Sequence, residues 1–165
     1  MEKRPVFSSG SKSNHTLLKR SGNWCAATLW LASIYAYLAL PEIIPVHFST
    51  SGKADGFGDK GTILLIPVIG TILFTMITRL ARYPQSFNYV VPITEKNAAG
   101  QYRIAVNMLL YLRFAFMIIF LAIVLLTVLT ANGFADGVGN LFLPLTLSLI
   151  FLPMAWFLVR SVRSR

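Results

Sequence analysis

Four stretches of this chain carry no Asp, Glu, Lys, Arg or His: Ser21–Leu40, Thr62–Thr78, Phe114–Ala135 and Leu141–Val159. A helix rises about 1.5 Å per residue, so roughly 20 such residues cross the ~30 Å hydrocarbon layer of a bilayer. Uncharged runs of this length, four times over, leave little room for a soluble fold. Composition agrees, with 55% hydrophobic residues, 13% charged residues and a mean hydropathy of +0.64. A soluble domain of this size covers its surface with charge, whereas lipid accepts apolar surface directly. The expected fold class is therefore all-α: an integral membrane four-helix transmembrane bundle, with spans at about 22–40, 62–79, 104–131 and 141–159.

Local features refine each span. Trp24 and Trp30 lie towards one end of the first run and Tyr35 and Tyr37 towards the other, as interface-seeking aromatics do. A cleaved secretory signal is the competing reading, but the site before Pro41 is poor and three more apolar runs follow. In the second run Pro67 and Gly70 predict a kink. Ile104–Arg113 is expected to prolong the third helix beyond the bilayer, with Arg103 and Arg113 reaching headgroups. Asn132–Asn140 reads as a glycine-rich turn, and Pro144 and Pro153 interrupt the last run. Thr94 is expected to cap the third helix, with Glu95 in its first turn.

Basic residues set an orientation. Five precede the first run, five lie between Arg79 and Arg113, and three follow the last run; only Lys53 and Lys60 fall on the other side. Lys and Arg concentrate in cytoplasmic connections, so both termini are expected in the cytoplasm of a cell membrane crossed several times. A cytoplasmic basic tail is assigned to residues 1–20, a single transmembrane domain to 21–160 and a short cytoplasmic tail to 161–165. The net charge of +9 flanks apolar runs and does not gather on a soluble face. Membrane lipids are thus the expected partners, and nucleic acid is not. Cys25 is the only cysteine, which excludes an intrachain disulfide. Oligomeric state is not legible.

The connection between the first two runs, Leu40–Gly61, is the chain's most distinctive polar segment. Pro41 and Pro45 end the helix, Val46-His47-Phe48 reads as extended, and Gly52, Gly56 and Gly58 supply turns. It is expected to form a structured extracytoplasmic loop. His47, Phe48, Gly52, Asp55, Asp59 and Lys60 are its candidate ligand-binding residues, combining charge, turns and aromatic surface. Spacing matches no zinc or calcium loop, no cofactor motif is read, and no Ser-His-Asp or Cys-His arrangement appears. A structural His47 bonded to a backbone carbonyl is favoured over a weak cation site.

Leu40-Pro41, Ile44-Pro45, His47-Phe48, Gly52, Asp55-Gly56 and Lys60, followed at once by an apolar run, resemble the bacterial membrane family known as domain of unknown function 1648. Phe87-Asn88-Tyr89, Pro92-Ile93-Thr94-Glu95, Asn97 and Gln101-Tyr102-Arg103 are similar to the stretch that follows in that family, so the likeness is expected to span Leu40–Arg113. Val90 and Val91 depart from it where a proline is expected. The resemblance implies a bacterial inner-membrane address and kinship with the immunity protein against a sporulation-delay peptide toxin. It also adds Asn88, Glu95, Asn97 and Arg103 as candidate residues on the cytoplasmic side.

Ala54-Asp55-Gly56-Phe57-Gly58-Asp59 recurs as Ala135-Asp136-Gly137-Val138-Gly139-Asn140. A two-hairpin repeat is one explanation; shared turn chemistry is the simpler one. The leading functional expectation is an immunity or sensor protein that binds a peptide, lipid or membrane-protein partner at the outer loop. One rival is a small membrane enzyme or metal-dependent hydrolase using His47, Asp55 and Asp59. Another is a transporter subunit, for which the uncharged spans supply no proton relay.

Overall fold

The computed structural model describes residues 16–164. The chain folds as α1 (Thr16–Ala39), a hairpin of β1 (Ile43–Phe48) and β2 (Ala54–Asp59), a 3-10 turn at Lys60–Leu64, α2 (Leu65–Leu80), a short 3-10 turn at Pro84–Ser86, α3 (Ala98–Ala131) and α4 (Phe142–Arg163). Residues 1–15 of the expected basic tail lie outside the described residues. Thr16–Arg20, given to that tail, already form the first turns of α1.

Among the described residues, three helices are long and apolar enough to cross a membrane: Lys60–Leu80, Ala98–Ala131 and Phe142–Arg163. The fourth, α1, is long enough at 24 residues, but Lys19, Arg20, Asn23 and its serines and tyrosines leave it the least hydrophobic of the set. Membrane character is thus carried by α2, α3 and α4.

Helix α3 is the spine, packing against α1, α2 and α4. Leu29, Ala36, Leu40, Ile44, Ile63, Met117 and Val124 form the buried core, towards the hairpin end. Pro67 and Gly70 of α2 each have a visible use in the packing. Pro67 falls in the first helical turn, where a missing N–H costs nothing. Gly70 lets α2 close on its neighbours, since a Cβ there would lie 3.1 Å from Leu29 and 3.2 Å from Phe120. Pro144 likewise sits in the first turn of α4 and Pro153 within the helix.

The opposite end is held by polar contacts. Buried Gln101 donates to the carbonyls of Ser161 (2.9 Å) and Ser164 (3.0 Å), and Ser161 Oγ donates to Gln101 Oε1 at 2.5 Å. Thus the last turn of α4 is capped by a side chain from α3. Thr94 caps the chain's entry into α3, as expected, and its carbonyl accepts from Ala98 N (2.9 Å). Its hydroxyl accepts from Asn97 N (3.3 Å) while Asn97 Oδ1 accepts from Thr94 N (2.9 Å), a reciprocal pair at the helix entrance.

β1 and β2 pair antiparallel, with Ile43 opposite Asp59, Ile44 opposite Gly58, Pro45 opposite Phe57, His47 opposite Gly56 and Phe48 opposite Ala54. The register slips once on each side of His47, passing over Val46 on β1 and Asp55 on β2. The hairpin is clasped to the α3–α4 connection. Ala54 N donates to Asp136 O (3.0 Å), Gly139 N donates to Gly52 O (3.2 Å), and Lys53 bridges Gly137. Gly52 has φ +80°, and a Cβ there would overlap the Gly139 carbonyl.

This clasp removes the repeat. Ala54–Asp59 is a paired strand, whereas Ala135–Asn140 is an irregular turn with Gly139 at φ +84°. The two similar segments touch one another and do not share a conformation; common turn chemistry explains the likeness.

Candidate functional site

Of the six loop candidates, three line one cavity. A cleft of about 660 Å³ is roofed by Ile44–Thr50 with Gly52, Val138 and Gly139, walled by Ile63, Leu65, Ile66, Phe142 and Leu143, and floored by Ile123 and Thr127 of α3. His47, Phe48 and Gly52 belong to its roof. The clasp positions that roof, because it joins the hairpin to the loop that leads into α4.

His47 Nδ1 meets Asp55 Oδ1 at 2.5 Å. The slips in strand register bring these side chains together, and Gly56 gives the room, since a Cβ there would stand 2.9 Å from His47 Cβ. The expected backbone-carbonyl partner is therefore replaced by a carboxylate. Nor is the pair buried: the side chains are 71% and 46% exposed. An exposed pair of this kind fixes ring orientation more than it stabilises the fold.

Asp59 and Lys60 serve the loop itself. Asp59 Oδ1 accepts from Gly61 N (2.7 Å), capping the 3-10 turn, and its carbonyl accepts from Thr62 Oγ1 (2.7 Å). Lys60 Nζ pairs with Glu42 (2.9 Å), reaches Leu40 O (3.5 Å) and stands 5.6 Å from the Tyr37 ring centroid. Those bonds pin the hairpin to the end of α1. His47, Asp55 and Asp59 do not converge, which was the arrangement the hydrolase reading needed. Among the described residues no three His, Cys, Asp or Glu side chains gather as a metal-ligand set. The Ser49 hydroxyl is spent within the turn, on Ser51 Oγ (2.9 Å) and Lys53 O (3.2 Å).

The cytoplasmic-side candidates are not brought together. Asn88, Glu95 and Arg103 are exposed, and Asn97 is half-buried in the turn before α3. Reading the sequence missed a different residue there. Arg113, expected at the headgroups, is 3% exposed. Its Nη1 donates to Thr78 Oγ1 (2.9 Å), its Nη2 to the carbonyls of Lys19 (3.2 Å) and Leu18 (3.5 Å), and its guanidinium lies 4.3 Å from the Phe74 ring centroid. Gly22 leaves the notch, since a Cβ there would sit 3.0 Å from Nη2. One cation thus joins the start of α1 and the end of α2 to α3. A lone arginine with apolar residues on both sides along a helix, Leu112 and Phe114, was the available signal.

The family model described as "Domain of unknown function (DUF1648)" bears on this geometry. It matches residues 25–71. That stretch runs from the middle of α1 through the whole hairpin into α2, so the resemblance read from the loop motifs is borne out there. It stops short of Phe87–Arg103, where the likeness was expected to continue. An uncharacterized protein of Archaeoglobus fulgidus is 37% identical over 70 residues, an alignment covering 38% of this chain and 38% of that relative. The aligned part is thus well under half of the relative's length. No solved structure matches.

Proposed function

We propose that this chain is a multi-pass protein of a prokaryotic cell membrane, with all four helices crossing the bilayer and both termini in the cytoplasm, and that it binds an amphipathic partner at its outer face. The carrying observation is the 660 Å³ cleft beneath the hairpin, a volume within the range of small-ligand sites. Its walls are apolar apart from Thr62, and its roof presents His47 and Thr50. Apolar surface supplies affinity there, and the few polar groups orient the partner.

The orientation is supported by the folded chain. Arg113 ties Lys19 to Thr78, and Gln101 ties α3 to Ser161, which gathers Arg20, Arg79, Arg82, Lys96, Arg103, Arg160 and Arg163 at one end. The hairpin end carries Lys53 and Lys60 beside Glu42, Asp55, Asp59 and Asp136. On the positive-inside rule the hairpin faces out. Immunity to a membrane-active peptide, or sensing of envelope state, is a use to which such a cleft is suited.

The test begins with a strain lacking the protein, challenged with membrane-active peptides and envelope stresses. Complementation by the parent is expected, with loss in Ile123→Trp, which fills the cleft, and weakening in His47→Ala. Full rescue by both variants under every condition that the parent rescues would overturn the site. Thiol labelling of intact cells checks the orientation on a Cys25→Ser background: Lys53→Cys is expected to react and Glu95→Cys is not. The reverse pattern inverts the scheme.

A further inference from the structure

The cleft's position in the bundle narrows the chemistry of what fills it. Helices α2 and α4 each pack chiefly on α3, and the cleft lies in the gap between them. Its side walls carry Leu65 and Leu143, which are 58% and 48% exposed, so the opening continues onto the surfaces of two helices apolar enough to cross a membrane. The floor residues Thr127 and Ile123 stand four and eight residues before the end of α3 at Ala131. At 1.5 Å per residue the cleft therefore reaches about 12 Å below the helix ends. One leaflet's share of the hydrocarbon is about 15 Å.

Three occupants can be compared on physical grounds. Water needs several polar partners, and the lower cleft offers Thr127 among Ile63, Ile66 and Ile123. An extended peptide brings an N–H and a C=O with every residue, and each unpaired one at this depth costs several kcal/mol. Pro45 also removes one N–H from β1, the strand such a peptide would join. A hydrocarbon chain brings no polar group and fills the space with dispersion contacts. Its polar end then meets His47 and Thr50 in the roof, at the level where the helices end.

We infer that the cleft holds one acyl chain of an outer-leaflet glycerophospholipid, which enters sideways between α2 and α4 with its headgroup under the hairpin. This rests on the proposed outward-facing, membrane-embedded bundle and names the partner class of the same site. The hairpin acts as a roof over the lipid, and the Gly52–Gly139 clasp holds that roof closed. Any peptide or protein partner acts on the hairpin from above.

The experiment uses the full chain reconstituted in vesicles of phosphatidylethanolamine and phosphatidylglycerol, extracted in mild detergent and examined by native mass spectrometry. One phospholipid is expected to stay bound to the parent after loosely held lipids dissociate. Occupancy should fall about tenfold, near 1.4 kcal/mol, in Ile123→Trp and Thr127→Phe. Met76→Trp, in the separate groove between α1 and α2, should leave it unchanged. Ile123 is only half-buried, so that variant keeps the test alive if Thr127→Phe does not fold. No retained lipid on the parent, or equal retention in folded Ile123→Trp, overturns the inference. The two readings fail separately. A parent without lipid whose complementation is still lost in Ile123→Trp keeps the outer-face site and removes the lipid. Cleft-dependent lipid with undiminished complementation by Ile123→Trp does the opposite.

Discussion

Gly52→Ala tests the clasp that roofs the cleft. Its φ of +80° costs an L residue about 1–2 kcal/mol. The added methyl would also overlap the Gly139 carbonyl, which is backbone and cannot swing aside. Two backbone hydrogen bonds, Gly139 N to Gly52 O (3.2 Å) and Ala54 N to Asp136 O (3.0 Å), hold the clasp. At about 1 kcal/mol each they contribute roughly 2 kcal/mol, less than a backbone overlap costs. The expected result is an open clasp over an intact bundle. Hydrogen exchange at Ala54 and Gly139 should quicken by about 30-fold, the equivalent of 2 kcal/mol. Exchange in the middle of α3 should not move. Gly100→Ala is the control: nothing lies within 4 Å of its would-be Cβ, and it should stabilise α3 by about 1 kcal/mol. Unchanged exchange at Ala54 and Gly139 in Gly52→Ala would refute the clasp as described.

Three further outcomes follow from the other polar contacts. Gly22→Ala should gain about 1 kcal/mol of helix propensity only when Arg113 is replaced by Met, because the new methyl otherwise meets Nη2 at 3.0 Å; thermal unfolding across that double-mutant cycle should show a coupling of about 1 kcal/mol, and strict additivity would sink the contact. Gln101→Leu removes three hydrogen bonds and leaves a buried Ser161 hydroxyl without its acceptor, so it should cost about 2–4 kcal/mol and fray the end of α4; an unchanged melting temperature would contradict this. Ser33 Oγ is buried without a hydrogen-bond partner, so Ser33→Ala should stabilise by about 1 kcal/mol in the same assay, and a loss of stability would mean that the hydroxyl does have one.

Which parts of this fold were legible in the sequence depends on how far apart the deciding residues lie. Uncharged length is a local property, and it located α2, α3 and α4 within a few residues. Extended Val46-His47-Phe48 was also readable, because prolines on one side and glycines on the other bound it. Its partner strand was not: Ala-Asp-Gly-Phe-Gly-Asp has poor strand composition. It pairs because its glycines are small where β1 is large. Gly56 faces His47, and a Cβ on Gly58 would stand 3.3 Å from the Val46 methyls. Such complementarity appears only once the register is known.

Arg113 shows the same limit from the other direction. By sequence alone a charge marks the edge of a span, since burying a cation in hydrocarbon is costly. That rule weighs the residue against lipid. Here protein meets part of the cost, through the Thr78 hydroxyl, two carbonyls of α1 and the Phe74 ring, contributed by segments up to 95 residues away, while Nε stays buried without a hydrogen-bond partner. The dipole at the end of α2 adds its negative pole close to Thr78. Charge near a predicted span end therefore has two readings, snorkelling to headgroups or linking helices, and only the second leaves a glycine notch opposite. Gly22 is that notch, and a glycine near the start of a long helix is the cue to look for the side chain that fills it.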